Sequence, residues 1–344
     1  MRVVALSLCL FLSAVCAPLS AQTAPLEEKQ KAVVVFDIQM EKIVDSELGK
    51  KLELSKKLAG VKAMSGGEGP DPSSITRVFG AMSAPENMAS AMTVGQGPLP
   101  MEFFVQMKFS DSSSATDMLA QAKEDNGGTV EHDGSTFYKV PETPGSPVGV
   151  MMRQVDDNTV EVGTEAYLFQ SDRKPFSANL KSAWSKAPKG AVRIVVDLAG
   201  AKTLVSEAIA MGEGSAPPPM GGFIGLLDNM KDLAITLDFA GGNLLALSAT
   251  GVDGDEAEEL KEGLDSLLGM GEMGIKATLP QIREQDPEGA AVMEQLAGAM
   301  KAELNENVVS VAIPTPNGFN DWVTKQVNTF APMIMGGMGG PPPR

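Results

Sequence analysis

The string AVVVFDI, Ala32 to Ile38, has a near copy 160 residues downstream, AVRIVVDL, Ala191 to Leu198. At that constant offset Val35, Asp37, Lys42, Ser46 and Glu47 coincide with Val195, Asp197, Lys202, Ser206 and Glu207, and Ile38 and Val44 fall on Leu198 and Leu204. β-branched side chains favour a pleated, half-buried surface. Each string therefore predicts a strand whose last Asp leads into an amphipathic helix. A chain that opens twice in this way is constrained to a doubled architecture.

The segments that follow keep to the same plan. MEFFVQMKF alternates, with Phe103, Val105, Met107 and Phe109 on one face, and SDSSSATDMLAQAKEDN then predicts a capped helix with Ala115, Met118, Leu119 and Ala122 as its stripe. In the second half LAITLDFAGGNLLALSAT predicts a hairpin turning at Gly241-Gly242, with Ile235, Leu237 and Phe239 facing Leu245 and Leu247. GVDGDEAEELKEGLDSLLG repeats the strand-to-helix handover, with Ala257, Leu260, Leu264 and Leu267 as its stripe and Gly269 as its stop. Further hairpins turn at Asp133-Gly134 and at Asp156-Asp157-Asn158, and a helix precedes Pro188. Late in the chain DPEGAAVMEQLAGAMKAEL reads as a helix, NVVSVAIP as a strand, and Phe319 to Phe330 as a last helix with Trp322, Val323 and Val327 on its apolar side.

Hairpins mixed with helices, without regular βαβ alternation, predict an α+β fold: two related halves, each a mainly antiparallel sheet with helices packed on one face. The first domain is expected over 22–188 and the second over 189–331, with a Gly/Met/Pro tail over 332–344. Ala63–Ser74 and Met211–Gly222 read as Gly- and Pro-rich loops at corresponding places. Residues 1–21 read as a secretory signal: Arg2, an apolar run from Val3 to Val15, and Leu19-Ser20-Ala21 as the cleavage site. Export to the periplasm, cell envelope or exterior is expected. Lipidation at Cys16 is the alternative, disfavoured by Val15 before it. Cys9 and Cys16 both lie in the signal, so cleavage leaves no disulfide, thiolate nucleophile or Cys-ligated zinc.

Net charge is −16, and removal of Arg2 makes the remainder more acidic, a field that disfavours nucleic acid and anionic lipid as partners. The Lys-rich stretch Leu48 to Lys62 reads as a solvated helix face balanced by Glu47 and Glu53.

The motifs that could carry chemistry reduce to structural roles. His132, the only histidine, precedes a tight turn and has no neighbouring nucleophile or orienting group. Gly269 to Gly274, GMGEMG, matches G-x-G-x-x-G but follows a helix where a dinucleotide site would open one, so it reads as a C-cap and linker. Asp253 to Glu259 lacks the ligand spacing of a calcium loop and reads as a helix cap. Met333, Met335 and Met338 offer soft ligands for Cu(I), against the simpler reading of a Met-rich tail. No catalytic, cofactor-binding or metal-ligating residue is assigned, and no cofactor is expected.

AVVVFDI with AVRIVVDL, the hairpin VDDNTVEVGTEAYLF and the helix after GVDGDEAEEL together resemble a group of exported two-repeat α+β proteins of planctomycete-type bacteria. That resemblance implies no activity and transfers no functional residue. The function expected is a non-enzymatic exported protein that binds another protein or has a structural role in the envelope. A carrier of an apolar molecule or lipid is the alternative, followed by Cu(I) binding and a carboxylate-dependent hydrolase.

Overall fold

The computed structural model describes residues 32–64, 70–83, 102–124, 128–140, 149–169, 177–201, 226–227 and 229–337. The signal with Cys9 and Cys16, the 211–222 loop and residues from Met338 onward lie outside that set.

In the first half, β1 (Ala32–Ile38) leads into helices α1 (Met40–Asp45), α2 (Glu47–Lys51) and α3 (Leu54–Met64), and then into β2 (Ile75–Ser83) and β3 (Phe103–Phe109). Helix α4 (Ser112–Glu124) follows, then the hairpins β4 (Thr129–His132)/β5 (Ser135–Lys139) and β6 (Val150–Asp156)/β7 (Thr159–Thr164), and helices α5 (Glu165–Leu168) and α6 (Ala178–Lys186). The second half runs β8 (Val192–Asp197), β9 (Met230–Leu237), β10 (Asn243–Gly251), α7 (Gly254–Gln285), α8 (Pro287–Gly298), β11 (Ala302–Asn305), β12 (Val308–Pro314) and α9 (Phe319–Gly337).

All the described strands join one antiparallel sheet in the order β11-β12-β10-β9-β8-β1-β2-β3-β7-β6-β5-β4. The fold is α+β. Outward from the centre, β1-β2-β3-β7-β6 on one side matches β8-β9-β10-β12-β11 on the other, and the hairpin β4/β5 extends the first half alone. The central pair is antiparallel, and Val35 lies opposite Val195, its own counterpart at the offset of 160. The seam thus has local two-fold character: the same edge of each half pairs with the other, and neither edge is left open.

Strand alternation divides the core between two faces. On the front face α4 buries Ala115, Met118, Leu119 and Ala122 against Val105, Met107, Phe109 and Val160, while α7 lays Leu260 over Ala249, Val309 and Val311. On the reverse face a single apolar row crosses Ala234, Val195, Val35, Ala81, Phe104 and Met151. It is covered by Leu180 and Ala183 of α6 and by Tyr167 and Leu168 of α5. Val35, Val195 and Leu180 are fully buried, each worth about 1.5–3 kcal/mol of transfer free energy. Helices therefore lie on both faces and not on one, because both alternating sets of strand residues at the seam are apolar and each needs a cover.

Several local expectations are revised. β2 carries no clean alternation in sequence: it contains Gly80, where a Cβ would meet Phe36 Cζ at 2.5 Å and the Phe104 carbonyl oxygen at 2.7 Å. The Lys-rich helix is two helices, split at Glu53, whose φ is +52°. α7 does not stop at Gly269 but runs on to Gln285, so GMGEMG is helix interior. Glycine lowers helix propensity by about 1 kcal/mol without forbidding a helix, and α8 folds back along the extension, with Leu264, Leu268 and Leu296 packed against the core. Leu268 takes the core place expected of Leu267. The last helix continues to Gly337, into the stretch expected to be tail.

Candidate functional site

Where β1 ends, its helices turn back over the starts and ends of neighbouring strands and leave a cleft of about 840 Å³. Its lining comes from both halves: Gln39, Lys42 and Asp45 after β1, Arg77 on β2, Lys108 on β3 and Ala240 from the β9/β10 turn. Two features of the sequence build it. Ser46 caps α2, accepting the Gly49 N–H at 2.9 Å and donating to the Ile43 carbonyl at 2.6 Å, which fixes the bend between α1 and α2. Strand alternation then places Arg77 beside the buried end of β1.

That end is Asp37, 4% exposed. Arg77 donates to it through Nε (2.6 Å) and Nη2 (3.1 Å), and Gln39 Nε2 adds a third bond at 3.2 Å. A bidentate guanidinium is the geometry that stabilises a carboxylate removed from water. Arg193 lies opposite Asp37 on β8, its guanidinium 3.6 Å from the centre of the Trp184 ring and its Nη2 donating to the Trp184 carbonyl at 2.6 Å. Burial lowers the Arg193 pKa while the Asp37 charge opposes that shift. The polar row continues from Asp37 through Phe79 and Gln106 to Glu161 and Arg153. Glu161 is fully buried and accepts from Arg153 Nε at 2.7 Å and Gln106 Nε2 at 3.1 Å. Arg77, which lines the cleft, thus stands at one end of a strip of paired charges that runs across the strands behind it.

The rim differs. Glu41, Lys42, Asp45 and Lys108 are all exposed. Glu47 is held by Lys51, whose hydrogen bond and charge lower the Glu47 pKa. Paired charge below and accessible charge above suit reversible binding of a polar partner segment.

The residues singled out in the sequence lie away from this cleft. His132 stacks on Phe169 at 4.2 Å, with Nε2 3.2 Å from the Phe169 carbonyl oxygen, so its ring has packing partners that the turn position did not suggest. Asp253 caps α7, accepting the N–H groups of Asp255 (2.9 Å) and Glu256 (3.1 Å), and those bonds lower its pKa. Met333 and Met335 fall within the span of α9, and Met338 lies outside the described residues. Among the described residues no group of three or more His, Cys, Asp or Glu side chains is placed to hold a metal, and no helix is long and apolar enough to cross a membrane. The cleft was not foreseen. Lys108 and Arg77 stand on neighbouring strands, and only the pairing order brings them beside α1.

No protein-family model and no curated protein matches the chain. It is similar to solved structures of TP0453: crystal form IV at 12% identity and TM-score 0.38, covering 87% of this chain and 93% of that one, and crystal form III at 11% and 0.37, covering 88% and 99%. At that level the likeness transfers no function.

Proposed function

We propose that this chain is an exported, non-enzymatic protein that binds another protein through the cleft at the end of β1. The observation that supports this reading is the contrast within the site: a carboxylate–guanidinium floor already paired, under a rim whose Lys42, Lys108, Glu41 and Asp45 are presented to solvent. Charges arranged in this way steer and orient a partner more than they add affinity. The resemblance to exported two-repeat proteins and the signal-like first 21 residues fit a role outside the cytoplasm. Carriage of an apolar molecule has less support, since charged and hydroxyl side chains dominate the cleft lining.

A photo-crosslinking residue at Ser110, in the cleft, should capture one reproducible partner in the native envelope. The double variant Lys42→Glu/Lys108→Glu should abolish that capture. An unchanged crosslinking pattern in the double variant, or the same pattern from a probe on distal α7, would remove the cleft as the binding site.

A further inference from the structure

The counterpart of Asp37 in the second half is Asp197, and its surroundings are different. It is 3% exposed, and among the described residues no guanidinium is bonded to it. Its Oδ2 accepts the Ser177 hydroxyl at 2.5 Å and its Oδ1 accepts the Gly200 N–H at 2.9 Å. Directly opposite it on β9 stands a second aspartate, Asp232, itself 5% exposed. Residues paired directly across antiparallel strands point to the same face with Cβ atoms about 4.5–5.5 Å apart, and like charges there repel. The single hydrogen bond described for the Asp232 carboxyl comes from the Thr250 hydroxyl, 2.8 Å from Oδ1.

Both carboxyls belong to the seat of α6. Ser177, which donates to Asp197, is the N-cap of α6 and accepts the Leu180 N–H at 3.0 Å. Asp232 is two residues along β9 from Ala234, which packs with Leu180 and Ala183 of α6. The charged groups that act on Asp232 are Lys186 of α6, Lys231 of its own strand and Asp197 of β8; Thr250 faces it from β10 as a neutral donor. Burial is the main effect and raises the Asp232 pKa, Asp197 raises it further, and Thr250 and the two lysines oppose the shift without cancelling it.

We infer that Asp197 and Asp232 form a proton-linked latch for α6: a proton held on Asp232 keeps the helix seated over the seam of the two halves, and its loss loosens the helix. The native carboxyl of Asp232 titrates higher than in the unfolded chain. Its contribution to stability is therefore fully present below the unfolded value and is lost as pH rises through the native one. This carboxyl pair lies at the opposite end of β1 from the cleft.

Carbon-13 NMR of the Asp232 carboxyl in the full chain, combined with amide exchange of α6, tests it. Asp232 should titrate above the ordinary aspartate value. Corrected protection of residues 178–186 should fall with rising pH through that titration, by about tenfold for each unit separating native from unfolded values. Asp232→Asn should remove the dependence, and Asp197→Asn should bring the Asp232 titration down. A wild-type Asp232 that titrates at or below the ordinary value overturns the latch before any variant is needed. So does pH-dependent α6 protection that persists in Asp232→Asn, or a calcium-dependent shift of the Asp232 titration, which would mark the pair as a cation site.

Discussion

Asp37 and Asp197 hold the same place in the two halves, the next-to-last residue of β1 and the last of β8, yet they are stabilised by different chemistry. Asp37 accepts from a bidentate arginine and from the Gln39 side chain and, among the described residues, from no backbone N–H of the helix after it; the N-cap of α1 is Gln39, without a side-chain cap. Asp197 takes the Gly200 N–H at the start of its following helix, together with a serine from α6, and faces another buried acid. A doubled strand can retain its backbone register while its polar ends diverge. The register depends on apolar residues such as Val35 and Val195, whereas each carboxylate needs only some donor within reach. The end that recruited arginine adjoins an open cleft; the end that did not carries a carboxyl pair sensitive to protonation.

The largest effect is expected at α6, the helix that spans the seam. Leu180→Ala removes a fully buried side chain packed on residues of both halves and should cost about 3 kcal/mol. Chemical denaturation should still show one transition; two would mean that the halves unfold separately. Next, Arg77→Met leaves Asp37 buried without its main partner. Breaking a fully buried pair costs about 3–5 kcal/mol; the Arg77 side chain is 49% exposed, so about 2 kcal/mol is expected after screening, read as a lower denaturation midpoint.

At the other end, Asp197→Asn should cost less than about 1 kcal/mol near neutral pH, because Asn caps a helix about as well as Asp and the repulsion with Asp232 disappears. A loss as large as that of Arg77→Met would erase the distinction between the two ends. Lys42→Glu/Lys108→Glu, on the exposed rim, should stay within about 0.5 kcal/mol of wild type, so any loss of partner capture reports binding and not folding.

The smallest effect is local. Asp111 caps α4 as Asp253 caps α7, and hydrogen bonds from Ser113 and Ser114 hold its pKa down to about 2. A depressed carboxyl stabilises above its unfolded value and loses that contribution as pH falls through the native one. Amide exchange at Ser114 should therefore stay slow until pH approaches about 2, the reverse of the dependence expected beneath α6.

Much of this was legible before any coordinates. The hairpin turns were, because Asp133 and Gly134, like Gly241 and Gly242, occupy the left-handed region that those residue types tolerate. The stripe of α4 was, because helical spacing alone decides which side chains share a face. β2 was not, since Gly80 interrupts its pattern to admit Phe36; nor was the length of α7, since its glycines signal a stop that packing against α8 overrides. The cleft was least visible. Lys42, Arg77 and Lys108 are ordinary charged positions on separate segments, and their meeting depends on which strands pair.

The doubled strand-and-helix plan, the turns and the caps follow from neighbouring residues, because periodicity and local hydrogen bonding act within a few positions. That the halves share one sheet, that α6 covers their seam, and that one aspartate obtains an arginine while its twin meets another acid emerge only on folding. Those outcomes depend on contacts between segments distant in the chain, where burial and charge pairing are settled by what lies opposite and not by what comes next.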